Sequence, residues 1–134
     1  MGCNAEPCNC GSGGCGDTGT GARPLVYLAS PYSHPDPLVR ADRYNANVKA
    51  AAELLARGTF VYAPIVSTHP IAEAADLPSG WEFWKEFDCR MLAMCTNMVV
   101  LMLPGWAESV GVAAETEFAW DNLIPVTYMP VEDS

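Results

Sequence analysis

Beyond residue 23 the chain alternates between short apolar runs and longer stretches in which apolar residues return every three or four positions. The runs are Leu25–Ala29, Thr59–Ala63, Asn97–Leu103 and Ile124–Met129, each of strand length and bounded by proline, glycine or polar residues. Between the first two, Asp36-Pro37 reads as an N-cap followed by proline at the first helical position. Leu38, Ala41, Tyr44, Val48, Ala51, Ala52 and Leu55 then follow at helical spacing up to Gly58, a C-cap residue. Strand, helix and strand at this spacing imply a right-handed crossover and a parallel pair. Residues 65–78, which hold His69 and Asp76, read as a loop-rich insertion. Ser79-Gly-Trp-Glu82 has the form of a capping box and opens a second helix.

That helix is apolar on two faces. Trp81, Trp84, Met91 or Leu92 and Cys95 share one stripe, with Asp88 in its middle, and Phe83, Phe87 and Met94 form a second stripe beside it. One sheet cannot cover both stripes, so a contact between subunits is expected there, in a homodimer or a higher homo-oligomer. The run Met98–Leu103 leads into Pro104-Gly-Trp-Ala-Glu-Ser109-Val-Gly111-Val-Ala-Ala-Glu115-Thr-Glu-Phe-Ala119, a turn followed by a third helix. On that helix Val112, Glu115 and Ala119 lie on one stripe, which places a carboxylate on an apolar face. The alternation as a whole predicts a three-layer α/β domain with a parallel sheet of four to five strands over residues 24–134. Such sheets bind ligands beyond the carboxyl ends of their strands, where the order reverses. The loops Ser30–Pro35 and Pro104–Ser109 are the candidates.

Composition narrows the function. The 134 residues, half of them hydrophobic, suffice for one core, and no run is long enough to span a bilayer. No apolar leader is visible, so a cytoplasmic protein is expected. Seven basic residues against sixteen acidic ones give a net charge of -9 and leave no basic stripe for a nucleic-acid polymer. One small phosphorylated ligand remains compatible. Residues 1–23 carry Cys3, Cys8, Cys10 and Cys15 among glycines and hydroxyl residues, and have too little apolar surface to offset ordering. A flexible tail is expected there, because the cysteine spacing matches no zinc pattern. Two histidines in the chain make a catalytic metal an unneeded assumption, and no fingerprint for a dinucleotide or a P-loop nucleotide is present.

The chemistry concentrates at the strand ends. Glu115 and Asp88 are two carboxylates on apolar stripes, and a shared low-dielectric cleft pushes such pKa values apart. One can then attack while the other transfers a proton or holds substrate, which is what breaking a glycosidic bond requires. A core Asp88 paired with Arg90 or Arg43 is the competing reading. Ser109 and Gly111 at a helix start offer a hydroxyl and free amides to an anion, although serine is equally a plain N-cap. The first loop adds Ser30, Tyr32, Ser33 and His34, with Tyr27 on the strand before it. His69 and Trp84 complete the candidate substrate-binding set.

Three motifs carry a resemblance: Tyr27-Leu-Ala-Ser-Pro-Tyr32, Asp88 on its helix, and Ser109-Val-Gly-Val-Ala-Ala-Glu115-Thr-Glu-Phe-Ala119. Together they resemble the nucleoside 2-deoxyribosyltransferase superfamily over residues 24–129, and the third is similar to its 2'-deoxynucleoside 5'-monophosphate N-glycosidase branch. The Pro-Gly-Trp and Trp-x-x-Trp-x-x-x-Asp wording also resembles an uncharacterised bacterial and phage branch. The resemblance implies a flavodoxin-like fold, dimers with sites near the subunit interface, and no metal or organic cofactor. It implies Glu115 as nucleophile on the anomeric carbon, Asp88 against sugar or base, Tyr27 positioning the nucleophile, and Ser109 on a 5'-phosphate. The implied ligand is a nucleoside or nucleotide. The chain departs from the pattern at Thr96-Asn97, where relatives often carry an aspartate, and at Pro31 and Ser33, where the monophosphate branch has a phosphate-binding serine and arginine. A non-catalytic module on the same fold, binding a nucleotide or another protein, is the alternative expectation.

Overall fold

The computed structural model describes residues 23–78 and 80–131. The cysteine-bearing N-terminal segment, Ser79 of the expected capping box and the acidic end therefore lie outside the described residues. Strands β1 (Leu25–Ala29), β2 (Phe60–Tyr62), β3 (Asn97–Met102) and β4 (Val126–Pro130) form one sheet in the order β2-β1-β3-β4, with every neighbouring pair parallel. Helices α1 (Pro37–Ala56), α2 (Pro64–Ala75), α3 (Trp81–Leu92) and α4 (Val110–Asp121) connect them. This is the expected α/β architecture, Rossmann-like or flavodoxin-like, with four strands.

Pleat parity divides the core. Tyr27, Ala29, Met98 and Val100 face Leu92, Cys95, Val112 and Ala119, the inner surfaces of α3 and α4 and of the turn after α3. Leu28 and Leu101 face the other way, toward Ala50 of α1. Strands β1 and β3 are the central pair, and β1 continues to β2 on one side while β4 extends the sheet beyond β3 on the other. The order thus reverses between β1 and β3, so the loops after them stand side by side at the switch point.

Helix α1 starts as expected: Asp36 accepts from the Leu38 amide, Pro37 opens the helix, and Gly58 follows it at φ +87°. Its buried face differs from the expected one. Asn47 and Ala50 are buried, whereas Leu38, Val48 and Leu55 are exposed. The helix is alanine-rich and weakly amphipathic, so hydrophobic spacing could not fix which face turns inward.

Residues 65–78 correct the loop expectation. They belong mostly to α2, which packs against α1 and β1 and has Pro64 in its first turn and Asp76 in a left-handed C-cap at φ 55°. Pro64 is tolerated because first-turn amides have no intrahelical partner. Pro70 lies inside the helix. On α3 the expected inner stripe is buried or half-buried, and Gly80 stands at the N-cap without a side-chain cap bond. The second stripe is bare: Phe83 is 50% exposed, and Phe87 and Met94 are exposed too.

Candidate active site

Tyr27 lies on the face of β1 that α4 covers, and its fully buried phenol donates to Glu115 Oε2 at 2.7 Å. Glu115 is 5% exposed, on the α4 stripe with Val112 and Ala119. Burial pushes its carboxyl up to about 8, the Tyr27 hydrogen bond opposes that, and the charge of Asp88 adds to it. The same burial, with Glu115 beside it, drives the Tyr27 phenol well above its ordinary value, so it remains a donor.

Asp88 is 9% exposed on the inner face of α3, and burial raises its carboxyl to about 7. Neither arginine considered as its partner neutralises it: among the described residues the one ion pair within 4.0 Å is Lys85 with Glu82. Arg43 instead donates to the carbonyls of Ser33 and Pro104 at 3.0 and 3.2 Å. Asp88 Oδ1 is buried without a hydrogen-bond partner. Leaving such an oxygen unmatched costs on the order of 1–3 kcal/mol, which singles it out as an acceptor waiting for a ligand or a shared proton.

Both carboxyls open into a cleft of about 640 Å³ at the carboxyl end of β1 and β3. Eight residues expected at the site line it: Ser30, Tyr32, Ser33, Trp84, Asp88, Ser109, Gly111 and Glu115. Tyr27 lies beneath it, holding Glu115. The two histidines do not line it. His34 accepts from the Asp36 amide at 3.0 Å within its own loop. His69 Nδ1 meets the Tyr32 hydroxyl from behind, and its ring stacks on Tyr44 with centroids 4.5 Å apart. Ser109 is the α4 N-cap, accepting from the Val112 amide at 3.2 Å, so its oxygen is already in use while its proton is not committed there.

The cleft has walls that sequence reading missed. Ile65, Thr68 and Ala72 come from α2, the segment read as a loop, and Trp81 stands opposite from α3. Arg43 is its one cationic lining residue among the described residues and ties the β1 loop to the β3 loop. Gly105 makes that clamp possible. It sits at φ +91°, and a Cβ there would stand 3.0 Å from Arg43 Nη2. Asn47 is the other omission: fully buried, it donates from Nδ2 to Ser30 Oγ at 2.7 Å and to the Arg43 carbonyl at 2.8 Å. Its only signal in the sequence was a polar residue four positions after Arg43 in an alanine-rich helix. Among the described residues no group of three His, Cys, Asp or Glu side chains stands ready to hold a metal ion.

A family model described as a domain of unknown function, DUF1937, matches residues 24–130. The chain belongs to the DUF1937 family. No curated protein matches the chain. The DUF1937 match runs from the residue before β1 to the last residue of β4, and so encloses the whole sheet and every cleft residue described above. Among the described residues of this DUF1937 chain, no helix is long and apolar enough to cross a membrane.

Proposed function

We propose that this DUF1937 protein breaks the N-glycosidic bond of a deoxynucleoside or its 5'-monophosphate, with Glu115 as the nucleophile. The observation that carries this reading is the buried carboxyl pair at the switch point, Glu115 held by Tyr27 and Asp88 with an unmatched oxygen. The resemblance of the Ser109–Ala119 motif to deoxyribosyltransferases points the same way. The lining of Trp81, Trp84, Tyr32 and Ile65 suits the apolar faces of a nucleobase.

The step balances with these residues alone. Ionised Glu115 attacks the anomeric carbon while the bond to the base nitrogen breaks, and protonated Asp88 delivers its proton to the leaving base. The products are a deoxyribosyl ester of Glu115, free base and an Asp88 carboxylate. Water, or the nitrogen of a second base, then attacks the same carbon and gives its proton to Asp88, which frees Glu115. The two pKa values, about 8 and about 7, differ by about one unit, so exchanging which group holds the proton costs on the order of 1.4 kcal/mol. Tyr27 helps by stabilising the ionised form of Glu115.

The exposed Phe83, Phe87 and Met94 stripe of α3 supports a homodimer that covers it, next to the cleft wall built by Trp84 of the same helix. The functional test is incubation with a panel of nucleosides and 5'-monophosphates, with and without a second free base, followed by chromatography of released and exchanged base. Release by the natural sequence and none by Glu115→Ala supports the reading. No release from any substrate, with Glu115→Ala indistinguishable, sinks it. Tight binding without turnover, insensitive to Glu115→Gln, would instead identify a non-catalytic nucleotide-binding module.

A further inference from the structure

The polar contacts of Asn47 fix the direction of a hydrogen bond that the cleft offers to its ligand. Asn47 is 0% exposed on α1, beneath the loop after β1. One of its side-chain terminal atoms meets two oxygens, Ser30 Oγ at 2.7 Å and the Arg43 carbonyl at 2.8 Å. A backbone carbonyl only accepts, so the atom facing it must be the amide nitrogen, and the other terminal atom is Oδ1. That Oδ1 is buried and has no hydrogen-bond partner.

Ser30 Oγ therefore receives an N–H and cannot spend its own proton on Asn47. Ser30 is buried, 8% exposed, and lines the cleft. A buried hydroxyl with an uncommitted proton costs free energy unless something accepts it. A leucine at position 47 would fill the same interior without an orphaned oxygen, so the asparagine is an expensive choice for packing alone. Its effect is to set the polarity of Ser30.

We infer that Asn47 locks Ser30 as a hydrogen-bond donor into the cleft, so that the site selects ligands presenting an oxygen acceptor on the sugar or its phosphate at that point. Asn47 is a positioning residue and Ser30 a specificity-determining one. The inference rests on the nucleoside reading for the identity of the acceptor. Arg43, turned toward the carbonyls of Ser33 and Pro104, braces the wall beside this donor.

The test measures dissociation constants by titration calorimetry for deoxynucleosides and their 5'-monophosphates, in a Glu115→Gln background that prevents turnover. Ser30→Ala is expected to weaken binding about tenfold, and Ser30→Thr, which keeps the hydroxyl, to restore most of it. Asn47→Asp replaces the inner donor with an acceptor, draws the Ser30 proton inward, and is expected to weaken binding by a similar factor. The double variant should be no worse than either single one, because both remove the same bond. A loss confined to monophosphates places the acceptor on the phosphate, and a loss with both ligand types places it on the sugar; either outcome supports the donor role. Unchanged binding by Ser30→Ala, or losses that multiply in the double variant, overturns it. If Asn47→Asp does not fold, the contrast between Ser30→Ala and Ser30→Thr decides alone. Binding without base release by the natural sequence overturns the catalytic reading and leaves this one standing; no binding of any ligand at millimolar concentration overturns both.

Discussion

Tyr27 and Glu115 are 88 residues apart in sequence and joined by a 2.7 Å hydrogen bond in which the phenol donates to Oε2. One partner comes from the central strand β1 and the other from α4, which follows the neighbouring strand β3. The bond favours the ionised carboxyl against the burial that opposes it. Tyr27→Phe should therefore push Glu115 further up from about 8. Base release at pH 7 is expected to fall by about tenfold, with the loss recovered in part at more alkaline pH. A pH–rate profile checks this; an equal loss at every pH would mean that Tyr27 acts on packing alone.

Asp88 should shape the other side of that profile. With Glu115 required ionised and Asp88 required protonated, the rate should follow a bell centred between about 7 and about 8. In Asp88→Asn the rising limb should remain, because it reports ionisation of Glu115 beside a neutral residue 88 in both proteins. The falling limb, which reports loss of the Asp88 proton, should disappear, and the maximal rate should drop by roughly 10²-fold. A bell that keeps both limbs in Asp88→Asn would remove Asp88 from proton transfer.

The same two carboxyls set the pH dependence of stability. Glu115 titrates near 4.5 when unfolded and at about 8 when folded, so across that window the folded state binds the proton more tightly. Stability must then fall as pH rises from about 4.5 to about 8, and Asp88 adds the same sign between 3.8 and about 7. Thermal melts should show a higher midpoint near pH 5 than near pH 8. Glu115→Gln keeps the Tyr27 bond without the charge, and should stabilise the fold at pH 8 by on the order of 2 kcal/mol. A flat midpoint from pH 5 to pH 8 would contradict the buried-pair description.

Gly105 and Arg43 give a prediction that is independent of the chemistry. Alanine at position 105 meets both an unfavourable φ of +91° and Arg43 Nη2 at 3.0 Å. Gly105→Ala should cost about 1–2 kcal/mol and weaken ligand binding by spreading the two loops. Gly58→Ala, also at positive φ but with its nearest neighbour 3.9 Å away at Arg23 Nη2, should cost less and leave binding unchanged. Urea titrations of both variants beside a binding assay make the comparison.

The bare aromatic stripe of α3 supplies the last test. Phe87→Glu with Phe83→Ser replaces exposed apolar surface and should leave the monomer fold intact. In analytical ultracentrifugation at micromolar concentration the natural sequence is expected to sediment as a dimer and the double variant as a monomer. A monomeric natural sequence at that concentration counts against the homodimer.

The sequence by itself determined the strands, three of the four helices and the candidate carboxylates, because those depend on local patterns. An apolar run of five or six residues after a turn specifies a buried strand, and Glu115 between Val112 and Ala119 specifies a carboxylate on an inward face whatever the fold around it. It did not determine α2, whose residues read as part of a loop-rich insertion, nor the phase of α1, whose alanines look alike on every face. Only the tertiary structure decided which polar groups meet. Asn47 beneath Ser30, Arg43 across two loops, and His69 behind rather than inside the cleft all follow from how α1 and α2 pack at the end of β1. Hydrogen bonds are short-ranged and directional, so a residue's type and spacing announce its capacity to bond but not its partner. Glu115 was visible as an anomaly in the chain. That Tyr27 holds it, and that Asp88 keeps an open oxygen in the same cleft, required the sheet order that brings β1 against β3.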